Sequence, residues 1–482
     1  MRPPLRPFEG ARRLSGHPVP HPFAARLWRT AGAIVFIGGL LSGCDSDSPT
    51  SEAGIIMDPT GAIEMEVGDA LSVEATRYNS SNNVSFSSSN PAVASVLPSG
   101  SSGDRFNAVI QAHAVGTATI TGFVSTLATA TLDVTVVAAP SGQLPTGVHT
   151  LPLTEPEALL LLNAAGGGFA GLTGTYLAAF AGTPGFAVLD LLTNQVLHQP
   201  AGLTGGPFFG VAAASHGTRG PTDPAAFVAF GLNGFVLQNY HTGAFKPPVQ
   251  HPNRTYDAFP AGGTVATDVI SFVQPGLGAG FIPFNGSIYA PTSEMLDIPD
   301  TEGEMVSAYL YDDAPGARVL ILARAVDSGL FLGQRGGGAP TRVLSLGLDG
   351  RKIRCTPSSA GGVLCGVTMF GNDRVALVRW DGMAAPTLAG FASAGDGPVD
   401  LDLHALPGGN IALVTSGFNN HLISEVELTP GGGVVSNMTR AAPAGCVNPG
   451  HVIYVRDTAG LKVVGTCYGS DNYFIDPSRF SR

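Results

Sequence analysis

Charge is scarce in this sequence, and lysine is almost absent. Charged residues make up 13% of the 482 residues, and the only lysines are Lys246, Lys352 and Lys462. An ordinary soluble domain has about 25% charged residues. Proteins that bind nucleic acid need clustered lysine and arginine to contact phosphates. We therefore exclude nucleic acid as a partner.

Long apolar runs are also missing. A helix that spans a bilayer needs about 20 mostly apolar residues, whereas the apolar stretch 31–41 is only AGAIVFIGGLL. The longer uncharged segment 158–187 contains three consecutive glycines at 166–168, and each glycine costs a helix about 1 kcal/mol. Because buried strands also give apolar runs, we interpret 158–187 as core strands rather than a second membrane span.

Residues 44–482 lack the common catalytic motifs. They contain no HExxH, no GxGxxG loop followed by a helix, no P-loop and no GxSxG. We therefore predict no catalytic residue, no metal site and no cofactor.

One acidic cluster is a weak candidate for a calcium site. Asp297, Asp300, Glu302 and Glu304 lie close together in sequence, and calcium favours several carboxylates. The cluster lacks the DxDxDG order of a calcium loop, so we favour a solvated loop. The adjacent pair Asp312-Asp313 precedes Ala-Pro-Gly and is most simply part of a turn.

A second group of titratable residues lies further along the chain. Asp396, Asp400 and Asp402 are followed by His404 and His421. Acids at alternate positions of a strand share one face, and that face either points to a channel or lies on a charged outer strand. We favour the outer strand for the acids and a structural or exposed place for the histidines.

The amino terminus is typical of an exported protein. Residues 1–30 hold six arginines and one acid, Glu9, and a basic region, a short apolar region and a small-residue cleavage site make a secretory signal. The stretch Leu41-Ser42-Gly43-Cys44 resembles the lipobox of bacterial lipoproteins, which are cut before the cysteine. The resemblance implies a signal peptide over 1–43 and lipid on Cys44 that holds the chain on a membrane of the cell envelope. An ordinary signal peptide with a nearby cysteine is the alternative.

The mature chain is acidic and contains an even number of remaining cysteines. Without residues 1–43, 19 basic and 35 acidic residues remain, a net charge of −16, which favours solubility. In an oxidising compartment, four cysteines besides Cys44 suggest two disulfides. Sequence proximity favours the pairs Cys355–Cys365 and Cys446–Cys467, each across a hairpin. A zinc site is the alternative, but neither pair has CxxC spacing.

Residues 57–138 have the pattern of a β-sandwich. Apolar residues alternate in the strand period, as at Ile63, Met65 and Val67, and turn signals separate the segments. The stretches VGDALSVEA (67–75), VSFSSSNPAVASV (84–96) and AVGTATITG (114–122) resemble the bacterial Ig-like group 2 (BIG2) domain. Phe86 takes the place of the family's frequent tryptophan, and Ser99–Arg105 is an insertion. The resemblance implies a spacer or adhesive module between linkers at 44–56 and 139–147, with no catalytic residues.

Residues 148–482 repeat an apolar strand, a tight turn and another apolar strand. Turn threonines recur at intervals of 49, 50, 49, 46 and 42 residues, at positions Thr193, Thr242, Thr292, Thr341, Thr387 and Thr429. A period of 40–50 residues in an all-β chain predicts a β-propeller, here of about seven blades. The segment AVLDLLTNQVLHQ resembles YVTN-type propellers. We expect the strand 148–153 to join the last blade, where 472–476 is an inner or third strand. Two stacked β-sandwiches are the alternative.

These predictions together describe an all-β envelope protein, an Ig-like sandwich followed by a β-propeller. We expect a monomer that binds a protein or a glycan and is held on a membrane by the lipid on Cys44. Two alternatives stay open at this point: a periplasmic scaffold in envelope assembly, and an extracytoplasmic glycan-active enzyme, which needs two converging carboxylates.

Overall fold

The computed structural model describes most of residues 53–481. Its gaps are 59–60, 68–69, 125–127, 139–141, 164–175, 201–207, 216–224, 232–233, 240–248, 251–256, 262–268, 275–277, 284–293, 297, 299–301, 312–317, 335–336 and 383. The signal peptide and Cys44 therefore lie outside the described residues. Within the described ranges the regular structure is β-strand, with short 3-10 segments and no α-helix. The all-β prediction is confirmed for this part of the chain.

The first eight strands form two four-stranded sheets. The strands are β1 (Gly54–Asp58), β2 (Gly61–Glu66), β3 (Ala70–Tyr78), β4 (Ser85–Ser88), β5 (Ala94–Ser102), β6 (Arg105–Ala112), β7 (Gly116–Phe123) and β8 (Thr129–Val137). One sheet has the order β1-β3-β6-β5 and the other β2-β8-β7-β4. The pairing of β2 with β8 is parallel, and the others are antiparallel. We call strands β1–β8 the amino-terminal sheets.

One apolar core lies between these two sheets. Met65, Val73 and Ile120 belong to it, and Phe86 packs against it, as the strand-period alternation predicts. The insertion 99–105 lengthens the hairpin of β5 and β6, which turns at residues 103–104. Strand β1 begins at Gly54, three residues before the boundary expected from the sequence.

The remaining 28 strands form seven further four-stranded sheets. They are β9 (Gly147–Thr150), β10 (Thr154–Asn163), β11 (Leu177–Thr183), β12 (Phe186–Asp190), β13 (Gln195–His198), β14 (Phe208–Ser215), β15 (Ala225–Gly231), β16 (Gly234–Asn239), β17 (Val249–Gln250), β18 (Asp257–Ala261), β19 (Val269–Gln274), β20 (Gly278–Pro283), β21 (Glu294–Leu296), β22 (Glu304–Leu310), β23 (Arg318–Arg324), β24 (Ser328–Gln334), β25 (Thr341–Gly347), β26 (Gly350–Pro357), β27 (Val363–Met369), β28 (Arg374–Trp380), β29 (Thr387–Ser393), β30 (Pro398–Ala405), β31 (Ile411–Gly417), β32 (Leu422–Leu428), β33 (Val434–Ala441), β34 (Pro449–Asp457), β35 (Gly460–Cys467) and β36 (Asn472–Pro477). Six of the sheets are formed by four consecutive strands each, from β10 to β33.

The seven sheets close into a ring. The first strands of successive sheets, β10, β14, β18, β22, β26, β30 and β34, lie against one another in that order, and β34 lies against β10. The last sheet has the order β34-β35-β36-β9, so a strand from the start of this region completes the sheet at its end. This closure, predicted from the sequence, is confirmed, and it leaves no open end to the ring. The arrangement is that of a β-propeller.

The apolar segment 158–187 contributes strands to the core. Leu159, Phe180 and Ala187 lie in a buried cluster with Val464 and Ile475 of the last sheet. Among the described residues, no helix is long and apolar enough to cross a membrane.

The sequence allows one or two turns of helix at 155–163, but these residues are extended. These residues belong to β10, which pairs with β11, because the core contacts of Leu159 and Leu161 favour an extended chain.

The threonine period reflects a repeated connection. Thr193 and Thr429 lie between the third and fourth strands of their sheets, and Thr341 and Thr387 begin fourth strands. Thr242 and Thr292 lie outside the described residues. In the four sheets where these threonines are described, the period follows the connection to the outermost strand.

Candidate functional site

Titratable side chains converge on three neighbouring first strands of the ring. We call them the inner-strand polar cluster: Lys352 and Arg354 on β26, Asp400, Asp402 and His404 on β30, and His451 and Arg456 on β34. The strands are adjacent because each begins its own sheet and packs against the first strand of the next. Both charge signs therefore meet at the inner edge of three sheets.

A repeated irregularity shapes these three strands. Each pairs with its second strand through a register shift, between Gly350 and Ile353, between Pro398 and Leu401, and between Pro449 and Val452. Such a shift re-aims the side chains at the bulge. Lys352, Asp400 and His451 occupy the equivalent position in the three strands.

Buried threonines on the second strands hold these shifts in place. The backbone N–H of Lys352 donates to Thr368 Oγ1 at 3.0 Å, and that of His451 donates to Thr466 Oγ1 at 2.9 Å. In the sheet between them, Thr415 Oγ1 donates to the Asp400 carbonyl at 2.8 Å. Each threonine satisfies a backbone group that the shift leaves without its ladder partner.

Asp400 forms a buried hydrogen bond with a residue of the next sheet. Its Oδ2 lies 2.9 Å from His451 Nδ1, and the side chains are 4% and 19% exposed. Burial acts to raise the pKa of Asp400, but His451, through charge and hydrogen bonding, and the positive charges of Lys352 and Arg354 outweigh it. The pKa of Asp400 is therefore held well below its usual range.

Asp402, two residues further along the same strand, is held by backbone groups. Its Oδ2 accepts the backbone N–H of Tyr454 at 2.7 Å, and its Oδ1 accepts that of Leu403 at 2.9 Å. Burial, with a contribution from the charge of Asp400, raises the pKa of Asp402 to about 6 despite these hydrogen bonds. Two carboxyls on one strand therefore differ in charge state near pH 5, where Asp400 is ionised and Asp402 is mostly protonated.

His404 is kept neutral by its surroundings. Burial and the positive charge of Arg456 lower the pKa of His404 to about 4, and Arg456 Nη2 lies 3.3 Å from His404 Nε2. A neutral imidazole nitrogen can accept a hydrogen bond from the guanidinium. The cluster therefore combines an ionised acid, a weak acid, a neutral imidazole and several cations.

The acids flagged in the sequence divide into two groups. Asp400 and Asp402 lie on a first strand, so the expectation of a charged outer strand is wrong: the alternating leucines Leu401 and Leu403 enter the core shared with the preceding sheet, and the acids face the following one. Asp396 is exposed in the preceding loop, where its Oδ1 accepts from Asn419 Nδ2 at 2.9 Å.

His421 does not join the cluster. It lies in the turn between β31 and β32 at φ 55°, and its Nδ1 accepts the backbone N–H of Asn448 at 3.0 Å. The exposed, structural place expected for this histidine agrees with that position.

Two of the four acids considered for a calcium site lie among the described residues. Glu302 pairs with Arg342 at 2.8 Å, and Glu304 pairs with Arg324, so both described members are engaged by arginine. Asp297, Asp300, Asp312 and Asp313 lie outside the described residues. In the described part of the chain no three His, Cys, Asp or Glu side chains are placed to hold a metal ion.

The cysteines lie in the two pairs favoured by sequence proximity. Cys355 and Cys365 form a disulfide between directly opposed positions of β26 and β27, with Cα atoms 3.9 Å apart. Cys446 and Cys467 form the second, with Cα atoms 5.0 Å apart. Cys446 lies in the loop before β34 rather than on a strand, so this bond ties a loop to the end of β35 instead of crossing a hairpin.

Sequence reasoning did not find the cationic half of the cluster. Lys352, Arg354, His451 and Arg456 lie on strands whose partners are 50 residues away, and no local motif joins them. The sequence does contain one indication of this arrangement. Thr368, Thr415 and Thr466 recur on second strands at about the spacing of the blade repeat, and they lie beside the register shifts of the first strands.

No protein-family model matches the chain, and no curated protein matches it. Among solved structures, it is similar to the β-propeller domain of Cps50 (Swd1) from Myceliophteria thermophila, with 11% identity, 69% of this chain and 99% of that chain covered, and a TM-score of 0.48. An auxiliary nutrient binding protein from Bacteroides thetaiotaomicron is 10% identical over 89% of this chain and 99% of that chain, with a TM-score of 0.38. Domains 4 and 5 of the S-layer protein SbsC are 25% identical over 17% of this chain and 51% of that chain, with a TM-score of 0.16.

Proposed function

We propose that this protein is a lipid-anchored protein of the cell envelope that presents a binding β-propeller of seven blades on an Ig-like spacer. Its ligand is a protein or a glycan of the envelope or its surroundings. The observation that carries the proposal is the inner-strand polar cluster, since it gathers both charge signs on three adjacent first strands of a closed ring.

The chemistry of the cluster favours binding over bond cleavage. A glycosidase needs one carboxyl to donate a proton and a second one free to act as nucleophile or base. Asp400 is engaged by His451, and both oxygens of Asp402 accept backbone hydrogen bonds. Arg354, His404 and Arg456 are half-buried and add polar groups at the ring's inner edge.

The amino-terminal sheets suit a spacer. They are two packed four-stranded sheets with one core and antiparallel pairing apart from β2 with β8, and this two-sheet packing supports the proposed Ig-like spacer. Lipid on Cys44 then anchors the chain ahead of this spacer, and a second lipid chain is needed for stable attachment. Both parts of this arrangement rest on the sequence motifs at 41–44 and 67–122.

Ligand capture tests the proposal directly. The full chain, kept in detergent with its disulfides intact, is immobilised and exposed to solubilised envelope and to a glycan panel. We expect one partner whose binding saturates and which a reduced, unfolded sample of the chain does not retain. A folded sample that retains nothing from either source contradicts a binding function.

A further inference from the structure

A cavity lies between the amino-terminal sheets and the ring. Its volume is about 190 Å³. Glu74 and Asn107 of β3 and β6 line one side, and Tyr309, Tyr311 and Ser358 line the other. The cavity therefore combines aromatic rings with a carboxylate, an amide and a hydroxyl, contributed by two parts of the chain that are far apart in sequence.

An arginine holds the two sides of this cavity together. Arg105 Nη1 lies 3.4 Å from Glu74 Oε1 and 3.8 Å from Asp381 Oδ2. The same nitrogen donates to the Asp381 carbonyl at 3.1 Å. Glu74 belongs to the amino-terminal sheets and Asp381 to the ring, so the arginine fixes the separation of the walls.

Asn107 lines the cavity on the side of the amino-terminal sheets. The residue is 6% exposed. It lies directly across from Glu74 in the sheet and close to Gly361, where an added Cβ atom would come within 3.1 Å of Nδ2. Its side-chain amide places a donor and an acceptor at the cavity wall.

Tyr311 is positioned firmly on the opposite wall. Its ring stands edge-on to Trp380 with centroids 5.1 Å apart. Gly382, at φ +76°, lies beneath the same ring, and a Cβ atom there would come within 2.5 Å of it. A glycine is therefore required for the tyrosine to lie where it does, which gives the cavity a fixed aromatic surface beside its polar groups.

We propose that this cavity binds one hexose unit of a neutral glycan. A sugar ring offers C–H groups to an aromatic face and hydroxyls that both donate and accept. The amide of Asn107 provides a donor and an acceptor, and the Glu74 carboxylate accepts only. Ligand pockets for larger molecules have volumes of about 300–1,000 Å³, so this cavity fits a single ring. Arg105 already balances the charge of Glu74, which favours a neutral sugar.

The inference rests on the binding role proposed above and names a ligand class, but it uses a surface apart from the inner-strand polar cluster. The test is saturation-transfer difference NMR and calorimetry on the full chain with free neutral hexoses and N-acetylhexosamines, and with a uronic acid for comparison. We expect one neutral sugar to bind saturably. Asn107→Leu, which keeps the size and removes the polar atoms, should weaken that binding at least tenfold without lowering the Tm.

Gln111→Leu serves as the matched control, because Gln111 lies on the same face of β6 but outside the cavity lining. Tyr311→Leu gives a second variant if Asn107→Leu does not fold. Two results overturn the inference: no neutral sugar binds, or Asn107→Leu binds as the unaltered chain does. Sugar binding that is lost in Arg456→Gln but kept in Asn107→Leu also overturns it and supports the ring's inner edge instead. Capture of an envelope partner without sugar binding supports the proposed function and overturns only the inference about this cavity.

Discussion

His451 and Asp400 join neighbouring sheets of the ring through a contact of 2.9 Å between Nδ1 and Oδ2. The two residues lie 51 positions apart and occupy the same place in successive first strands. The aspartate is almost fully buried, so water and salt screen the interaction between the two side chains only weakly. A buried contact of this kind fixes the position of one sheet relative to the next.

The first prediction concerns the energy of this pair. Removing the Asp400 carboxylate deprives the nearby positive charges of Lys352 and Arg354 of their counter-charge, and we expect Asp400→Ala to lower the free energy of unfolding by about 3 kcal/mol. A double-mutant cycle with His451→Ala, followed by urea unfolding, should give a coupling energy of about 1–3 kcal/mol. Asp396→Ala, at an exposed loop position, should change stability by about 0.5 kcal/mol or less. Strictly additive effects at 400 and 451 contradict the pairing.

The second prediction concerns pH and follows from two opposed pKa shifts. The folded chain raises the pKa of Asp402 to about 6, so Asp402 binds its proton more tightly in the folded chain than in the unfolded chain. The resulting contribution to the free energy of unfolding is present at low pH and is lost as pH rises from about 4 to 6. The folded chain lowers the pKa of His404 to about 4, so this contribution is lost as pH falls from about 6.5 to 4. Each contribution is about 3 kcal/mol at most.

The two contributions offset each other in the unaltered chain, and single variants separate them. In Asp402→Asn the free energy of unfolding should rise between pH 4 and 6.5, because only the histidine contribution remains. In His404→Gln it should fall between pH 4 and 6. Chemical unfolding at several pH values measures both slopes, with Asp396→Asn as a control that should follow the unaltered chain. Equal slopes in all four proteins argue against the burial of these groups.

The third prediction tests the threonines behind the register shifts. Thr466→Val keeps the shape of the side chain but removes the acceptor of the His451 N–H, and Thr466 is fully buried. An unsatisfied buried N–H costs about 1–3 kcal/mol, so the variant should be less stable by that amount. Thr466→Ser retains the oxygen and should lose clearly less stability than the valine variant. A serine variant as unstable as the valine variant rules out the hydrogen bond as the cause.

The fourth prediction concerns the disulfides. They close loops of 10 and 21 residues in sequence separation, for which chain entropy gives stabilisation of about 3 kcal/mol each. Replacing both cysteines of a pair by serine should lower the free energy of unfolding by about that amount, with the larger loss for Cys446 and Cys467. Mass measurement after alkylation, with and without reduction, should show four protected thiols in the unaltered chain.

The fifth prediction concerns the anchor. Cys44→Ser removes the thiol that the lipobox resemblance identifies as the lipid attachment site. Cells labelled with an alkyne fatty acid should incorporate the label into the unaltered chain and into a Ser42→Ala control, which keeps a small residue before the cysteine. Label retained by Cys44→Ser places the lipid elsewhere, and no label on the unaltered chain indicates ordinary secretion.

The architecture was largely predictable because it depends on local sequence patterns. Alternating apolar residues such as Val73 and Ile120 define strands with one buried face, and the threonines at strand connections preserve the repeat. The closing strand at 147–150 was predictable for the same reason, since a ring must complete its last sheet from the start of the chain. The Ig-like identity of the amino-terminal sheets stays a prediction from its sequence resemblance.

The site was much less predictable. Asp400 and Asp402 were visible as alternating acids, but their neighbours His451, Tyr454 and Arg456 come from another repeat, and only the packing of first strands brings them together. Local sequence also does not show whether a strand is the innermost or the outermost of its sheet. The strand of Asp400 and Asp402 was therefore expected to be an outer strand, whereas it is the innermost one. The cavity beside Asn107 depends on contact between separate parts of the chain and has no local signature.

The most direct test of the proposed function is the affinity of the captured ligand for matched variants. Arg354→Gln and Arg456→Gln alter half-buried cations at the inner edge of the ring, while Val435→Ser alters an exposed residue of the outermost strand β33. With each variant shown to be folded by its Tm, the dissociation constant is measured by calorimetry. We expect the inner-edge variants to weaken binding at least tenfold and Val435→Ser to bind as the unaltered chain does. Unchanged affinity in both inner-edge variants contradicts the account, because the ligand is then not bound at the inner-strand polar cluster.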